Sequence, residues 1–126
     1  MPTPTPTSAP LQLFQYRALV TAVYDGDTCT VDIDLGLGVW VRGEKLRLHR
    51  INAPELRGKD AAKGKASRDH LKSLIEGKEV LLQTIKDRRE KYGRYLAEIW
   101  LEKPNATPTN VNDAMVAAGQ ARYQDY

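Results

Sequence analysis

A chain of 126 residues and 14.1 kDa can bury one hydrophobic core and is too short to divide into two. With 41% hydrophobic and 28% charged residues it has the balance of a folded globular protein, not of a disordered one, and no segment is apolar enough to span a bilayer. The single cysteine, Cys29, excludes an internal disulfide and a cysteine-based zinc site, while a net charge of +3 permits contact with a polyanion without establishing it.

In chain order, the alternating Thr and Pro residues up to Pro10 cannot build a helix or a central strand, so residues 1–10 read as a flexible tail ahead of a single domain spanning 11–126. The start has neither the basic nor the apolar stretch of a signal peptide, and an intracellular, cytoplasmic protein is expected. From Gln15 to Ile33 two β-rich runs flank Asp25-Gly26, a hairpin signal in which glycine is expected to take the left-handed conformation. A second turn is expected at Gly36 to Gly38. The next strand, "VWVRGEKLRLHRI", puts Leu46 and Leu48 on one face and Arg47 and His49 on the other.

A helix from about Asp60 to Glu76 ends at Gly77, with Ala66, Leu71, Leu74 and Ile75 on its apolar stripe. "EVLLQTI" and "RYLAEIWL" read as two further strands joined by a basic loop from Asp87 to Gly93. Val111, Ala114, Met115 and Ala118 fall at helical spacing behind Asn110, a candidate N-cap, with Gly119 just past the end. Five strands, with a helix between the third and fourth and another at the C-terminus, match an α+β fold, the OB-fold: a Greek-key β-barrel that often binds nucleic acids. Charge supports such a partner locally, since twelve basic residues face six acids between Arg57 and Arg94.

Three short motifs could carry chemistry. "DGDT" holds Asp25 and Asp27 beside a tight turn, "RINAPE" sets Asn52 and Glu55 around Pro54, and "EKYGR" ends a basic loop with Arg94. Each taken alone is ordinary turn chemistry. Together, at strand ends that a barrel could gather, they supply oxygen ligands for a hard cation, a carboxylate to position water, and arginines to neutralise charge on a phosphorane-like transition state. His49 and His70 suggest no metal pair, and Phe14, Trp40 and Trp100 read as core or hairpin residues.

These motifs, "DGDT", "RLHRINAPE", "EKYGRYLAEIW" and "VNDAMVAAGQA", occur in the order found in the staphylococcal (thermo)nuclease family, which the chain resembles from about Val20 to about Tyr123. The resemblance implies the five-stranded OB barrel and Ca2+-dependent cleavage of DNA and RNA that breaks the bond from phosphorus to the 5′ oxygen and leaves a 3′-phosphate. By motif, Asp27 resembles the calcium-ligating aspartate, Asp25 an acid just beyond the direct ligands, and Glu55 the glutamate that activates or orients water. Arg47 and Arg94 resemble the arginines that grip the phosphate, Lys91 and Tyr92 those that contact a nucleotide phosphate, and Tyr123 and Tyr126 match the family's base-stacking tyrosines only loosely. Asn52 stands where the family's archetype has a second ligating aspartate, and Ala53 can still ligate through its backbone carbonyl. An amide oxygen can serve calcium, but with one negative charge fewer the ion should bind more weakly.

The expectation is a monomeric nuclease acting on DNA or RNA, without contact to a membrane. A second reading keeps the fold and phosphate contacts but not catalysis, as a nucleic-acid-binding module; Asn52 favours it, and the retained Asp27, Glu55, Arg47 and Arg94 oppose it. A barrel serving only protein contacts would make no use of this constellation.

Overall fold

The computed structural model describes residues 13–124; the Thr/Pro-rich tail and Tyr126 lie outside the described residues. In chain order the elements are β1 (Gln15–Asp25), β2 (Thr28–Gly36), β3 (Val39–Leu48), β4 (Ile51–Asn52), α1 (Ala61–Ile75), β5 (Glu79–Arg89), β6 (Tyr95–Lys103), β7 (Ala106–Asn110), α2 (Val111–Ala117) and β8 (Arg122–Tyr123). A 3-10 turn, Gly58–Asp60, leads into α1.

β1, β2 and β3 form an antiparallel meander, β5 pairs with the other edge of β1, and β6 pairs with β5. A parallel pairing of β3 with β6, from Leu46 opposite Tyr95 to Leu48 opposite Ala97, closes these five strands into a barrel. This seam covers the end of β3 from Leu46 to Leu48 and the facing edge of β6 from Tyr95 to Ala97. With α1 between β3 and β5 and α2 near the C-terminus, this is the expected five-stranded OB-type barrel with two helices.

The two-residue period works as the sequence suggests. Ala18 and Val20, Val31 and Ile33, Leu46 and Leu48, Val80 and Leu82, and Ala97 and Ile99 point inward and are buried. Leu71 and Ile75 of α1 and Val111 and Met115 of α2 complete this core, each large side chain contributing about 1.5–3 kcal/mol by leaving water. Cys29 is a buried strand residue whose thiol pKa is pushed up to about 12, first by burial and then by the charge of Asp25. No helix among the described residues is long and apolar enough to cross a membrane.

Several local expectations need correction. On α1 the buried residues are Gly64, Ser67, Leu71 and Ile75; Ala66 is exposed and Leu74 only partly buried. β5 continues to Arg89, into the expected loop, across an irregularity where Lys86 and Asp87 both have positive φ. Thr84 and Asp87 hydrogen-bond each other there, which gives the bulge internal partners. β7 extends the sheet beyond the barrel on β6, and the two-residue strands β4 and β8 pair with each other; the sequence reading foresaw none of the three. Gly26 is not left-handed. It is required for space instead, because a Cβ there would lie 1.9 Å from Ser67 Oγ and 2.7 Å from Ala53 Cβ.

A candidate phosphate and cation site at the barrel end

The turn after β1 is tight because Gly26 packs against α1 and Ala53, and this contact carries Asp27 into the protein. Asp27 is 6% exposed, and its backbone carbonyl accepts a hydrogen bond from Leu48 N at 2.8 Å, which fixes the turn against the end of β3. Its carboxylate oxygen Oδ2 accepts from Ala53 N at 2.8 Å and lies 3.2 Å from Arg47 Nη1. Asp25, at the other side of the turn, accepts from Asp27 N at 3.0 Å.

Arg47 is 8% exposed and points away from its core neighbours Leu46 and Leu48, as alternation along the strand requires. Its Nη1 donates to the carbonyls of Leu48 and Ile51, both at 3.0 Å, and Nη2 donates to Asn52 Oδ1 at 3.3 Å. Main-chain carbonyls therefore hold the guanidinium between Asp27 and Asn52. A buried guanidinium with this many partners keeps one geometry.

Arg94, just before β6, is brought near by the parallel pairing of β3 with β6. Its Nη1 donates to Thr28 Oγ1 at 3.1 Å, and Thr28 Oγ1 donates to Asp27 Oδ1 at 3.2 Å. Arg94 is raised above the usual arginine range, chiefly by hydrogen bonding to Glu90 and against the opposing effect of burial; the charges of Glu90, Asp27 and Asp25 add to the rise. Asp27, Thr28, Arg47 and Arg94 thus form one connected group. Thr28 and Glu90 escaped the sequence reading, although Thr28 follows Asp27 directly and Glu90 stands four residues before Arg94.

The acids around the turn make an unbalanced pair. Asp27 is raised to about 6, first by burial, then by its hydrogen bond to and repulsion from Asp25; Arg47 and the Ala53 N–H oppose the rise. A cation beside the two carboxylates would relieve that repulsion, and the oxygens of Asp25, Asp27, Asn52 and the Ala53 carbonyl suit a hard divalent ion. Among the described residues no group of three or more His, Cys, Asp or Glu side chains could hold a metal, so neutral oxygens would have to complete the shell. Asn52 Oδ1 is shared with Arg47 in this arrangement.

Glu55 occupies different ground. It is exposed, and its neighbours Asn52, Ala53 and Pro54 share with it, and with Lys63, Gln120 and Arg122, the lining of an open cavity of about 480 Å³. The loop lies close on α1 because Gly64 has no side chain: a Cβ there would sit 2.1 Å from the Glu55 carbonyl oxygen. The helix-weakening glycine is thus explained by packing. No hydrogen bond joins the Glu55 carboxylate to Asp27 or either arginine among the described residues.

Of the outlying candidates, Lys91 and Tyr92 are exposed on the β5–β6 turn, where the Lys91 ammonium lies 5.1 Å and the Arg94 guanidinium carbon 5.4 Å from the centre of the Tyr92 ring. Tyr92 is 72% exposed, which leaves its ring accessible beside two cations. Tyr123 is engaged elsewhere: its hydroxyl donates to Asp113 at 2.9 Å and Arg50 lies over its ring. Arg50, at φ 68°, also makes a two-point contact with Glu98 at 2.6 and 3.0 Å and reaches Asp113 at 3.0 Å. This network ties β8 to the segment carrying Asn52 and Glu55.

Among curated proteins none matches the chain. A family model described as staphylococcal nuclease homologue matches residues 45–126, well over half of the chain, and includes Arg47, Asn52, Glu55 and Arg94. The family is one of nuclease-type or nucleic-acid-binding domains. With its closed five-stranded barrel and the arginines gathered where β3 meets β6, the chain belongs to the staphylococcal nuclease family.

Proposed function

We propose that the protein is a Ca2+-dependent nuclease that hydrolyses phosphodiester bonds of DNA and RNA with little sequence preference, breaking the bond to the 5′ oxygen and leaving a 3′-phosphate. The observation that carries this reading is the connected group Arg47–Asp27–Thr28–Arg94, which sets two arginines on either side of a buried carboxylate. Guanidiniums stay charged and present N–H donors that suit phosphate oxygens, and charge held in place before the reaction lowers the cost of the more highly charged transition state. Asp27, Asn52 and the Ala53 carbonyl, with Asp25 beside them, would hold the ion. A bound divalent ion would supply further neutralisation of the phosphate oxygens. Glu55, exposed and so able to meet water, takes the proton of the attacking water or orients it. Lys91 and Tyr92 would contact the phosphate backbone next to Arg94. Single-stranded or flexible substrate is favoured, because in-line attack needs a phosphodiester that can bend toward the site.

One observation favours a second reading, a nucleic-acid-binding module without catalysis: Asn52 stands at the position of an acid, and its amide oxygen is already offered to Arg47. The test is release of fragments from single-stranded DNA across a calcium titration, with EDTA and Glu55→Gln as controls. Calcium-dependent cleavage that disappears in the variant supports the nuclease. Salt-sensitive binding of DNA with no cleavage in calcium, magnesium or manganese would make the protein a binding module.

A further inference from the structure

We propose that Glu90 is a positioning residue, one that holds Arg94 so that its remaining donors face the phosphate. The inference rests on the nuclease reading. Both Glu90 oxygens engage Arg94, Oε1 accepting from Nε at 3.1 Å and Oε2 from Nη2 at 3.0 Å. The same Oε1 accepts from the backbone N–H groups of Tyr92 at 3.0 Å and Arg94 at 2.9 Å, while Glu90 N donates to the Arg94 carbonyl at 2.7 Å. One carboxylate thus sets both the shape of the turn and the plane of the guanidinium.

A guanidinium has five N–H donors. Glu90 takes those of Nε and one of Nη2, and Thr28 takes one of Nη1, which leaves one donor on each terminal nitrogen. Two parallel donors are what a phosphate accepts from an arginine. Glu90 therefore occupies part of Arg94 without using it up. Were the carboxylate a competitor for phosphate, its removal would free donors and raise activity; as a support, its removal lets the side chain rotate and lowers activity. The division of labour between its oxygens separates these cases. In Glu90→Gln the amide oxygen can replace Oε1 and keep the turn closed, but the amide nitrogen in place of Oε2 confronts Nη2 donor to donor.

The experiment measures kcat and KM on single-stranded DNA in saturating calcium for wild type, Glu90→Gln, Arg94→Ala and the double variant. A support acting through Arg94 predicts that Glu90→Gln lowers kcat on the order of 10- to 100-fold, the range expected when a reacting group is misplaced, with no comparable rise in KM. In the Arg94→Ala background the same change should have no further effect on kcat. Unchanged or higher kcat in Glu90→Gln, with an active wild type, overturns the role. An equal fall in both backgrounds overturns it too, because the effect would then be general to the fold. Wild type inactive at every calcium level would sink the nuclease reading and this role with it.

Discussion

The two sides of the barrel end are held by different forces. Around Asp27, Arg47 and Thr28 the polar groups are buried and each is tied to main chain or to the others. Around Glu55, Lys63 and Arg122 they line an open cavity, and Glu55 is exposed. The first side can keep charges in one geometry but depends on the fold being intact. The second can admit water and a flexible ligand at little cost to stability. On the proposed nuclease reading, phosphate grip and water activation are thereby separated: one is built into the barrel, the other is mounted beside it.

Four substitutions break or sharpen this contrast, in order of their expected effect on stability. Arg47→Ala strands the buried Asp27 without its cation, a change that typically costs about 3–5 kcal/mol; urea unfolding should show a markedly lower midpoint, and cleavage should be lost as well. Gly26→Ala forces a Cβ into Ser67 and Ala53, and overpacking of this kind costs about 1–3 kcal/mol. Thermal melting checks it, and a Tm equal to wild type would refute the close-packing account of Gly26.

Glu90→Gln should be milder and dependent on pH. Hydrogen bonds from Arg94, against some desolvation, hold the Glu90 carboxyl at about 2, below its ordinary 4.5. A folded-state value lower than the unfolded one gives stability that is complete above pH 4.5 and lost as pH falls through about 2. The difference in unfolding free energy between wild type and Glu90→Gln, on the order of 1 kcal/mol for a pair that keeps some contact with solvent, should therefore be constant near neutral pH and close toward pH 2, and the two Tm values should converge with it. Glu55→Gln should change stability least, within about 0.5 kcal/mol, yet lower cleavage by about 10²–10⁴-fold. A large drop in Tm for that variant would place Glu55 in the structural half of the site.

Much of this organisation is legible in the sequence where a local rule governs it. Alternation gives the inward residues of the barrel strands, and Asn110 caps α2 as read, its side chain accepting from Asp113 N at 2.9 Å. What escapes depends on groups distant in the chain. β4 and β8 are two residues each and exist only because the barrel brings Ile51 opposite Tyr123. β7 contains Pro108 and is largely exposed, so neither propensity nor hydrophobicity marks it. Gly26 reads as a turn residue, and Gly64 is an unfavourable residue inside a helix; the reason for each appears only when α1 is laid against Ala53 and Glu55. For the candidate site, the motifs supply residue types, whereas the link through Thr28 and the support from Glu90 are matters of side-chain direction that no spacing encodes. The matched family region begins at Lys45, so Asp27 joins it through contacts with Arg47, Leu48 and Ala53 that only the folded chain makes.

If the protein cleaves nucleic acid as proposed, the parallel contact between β3 and β6 has a consequence for how it would acquire that activity. Arg47 lies in one of these strands and Arg94 directly precedes the other, and the chain between them includes α1 and β5. Contacts so distant in sequence carry a large loop-closure cost and tend to form late during folding. A partly folded chain with β1 to β3 in place would hold Arg47 without Arg94, and would be unable to cut. Recovery of cleavage during refolding would therefore time the last step of assembly, lagging behind probes of the first meander by the interval needed to join the seam.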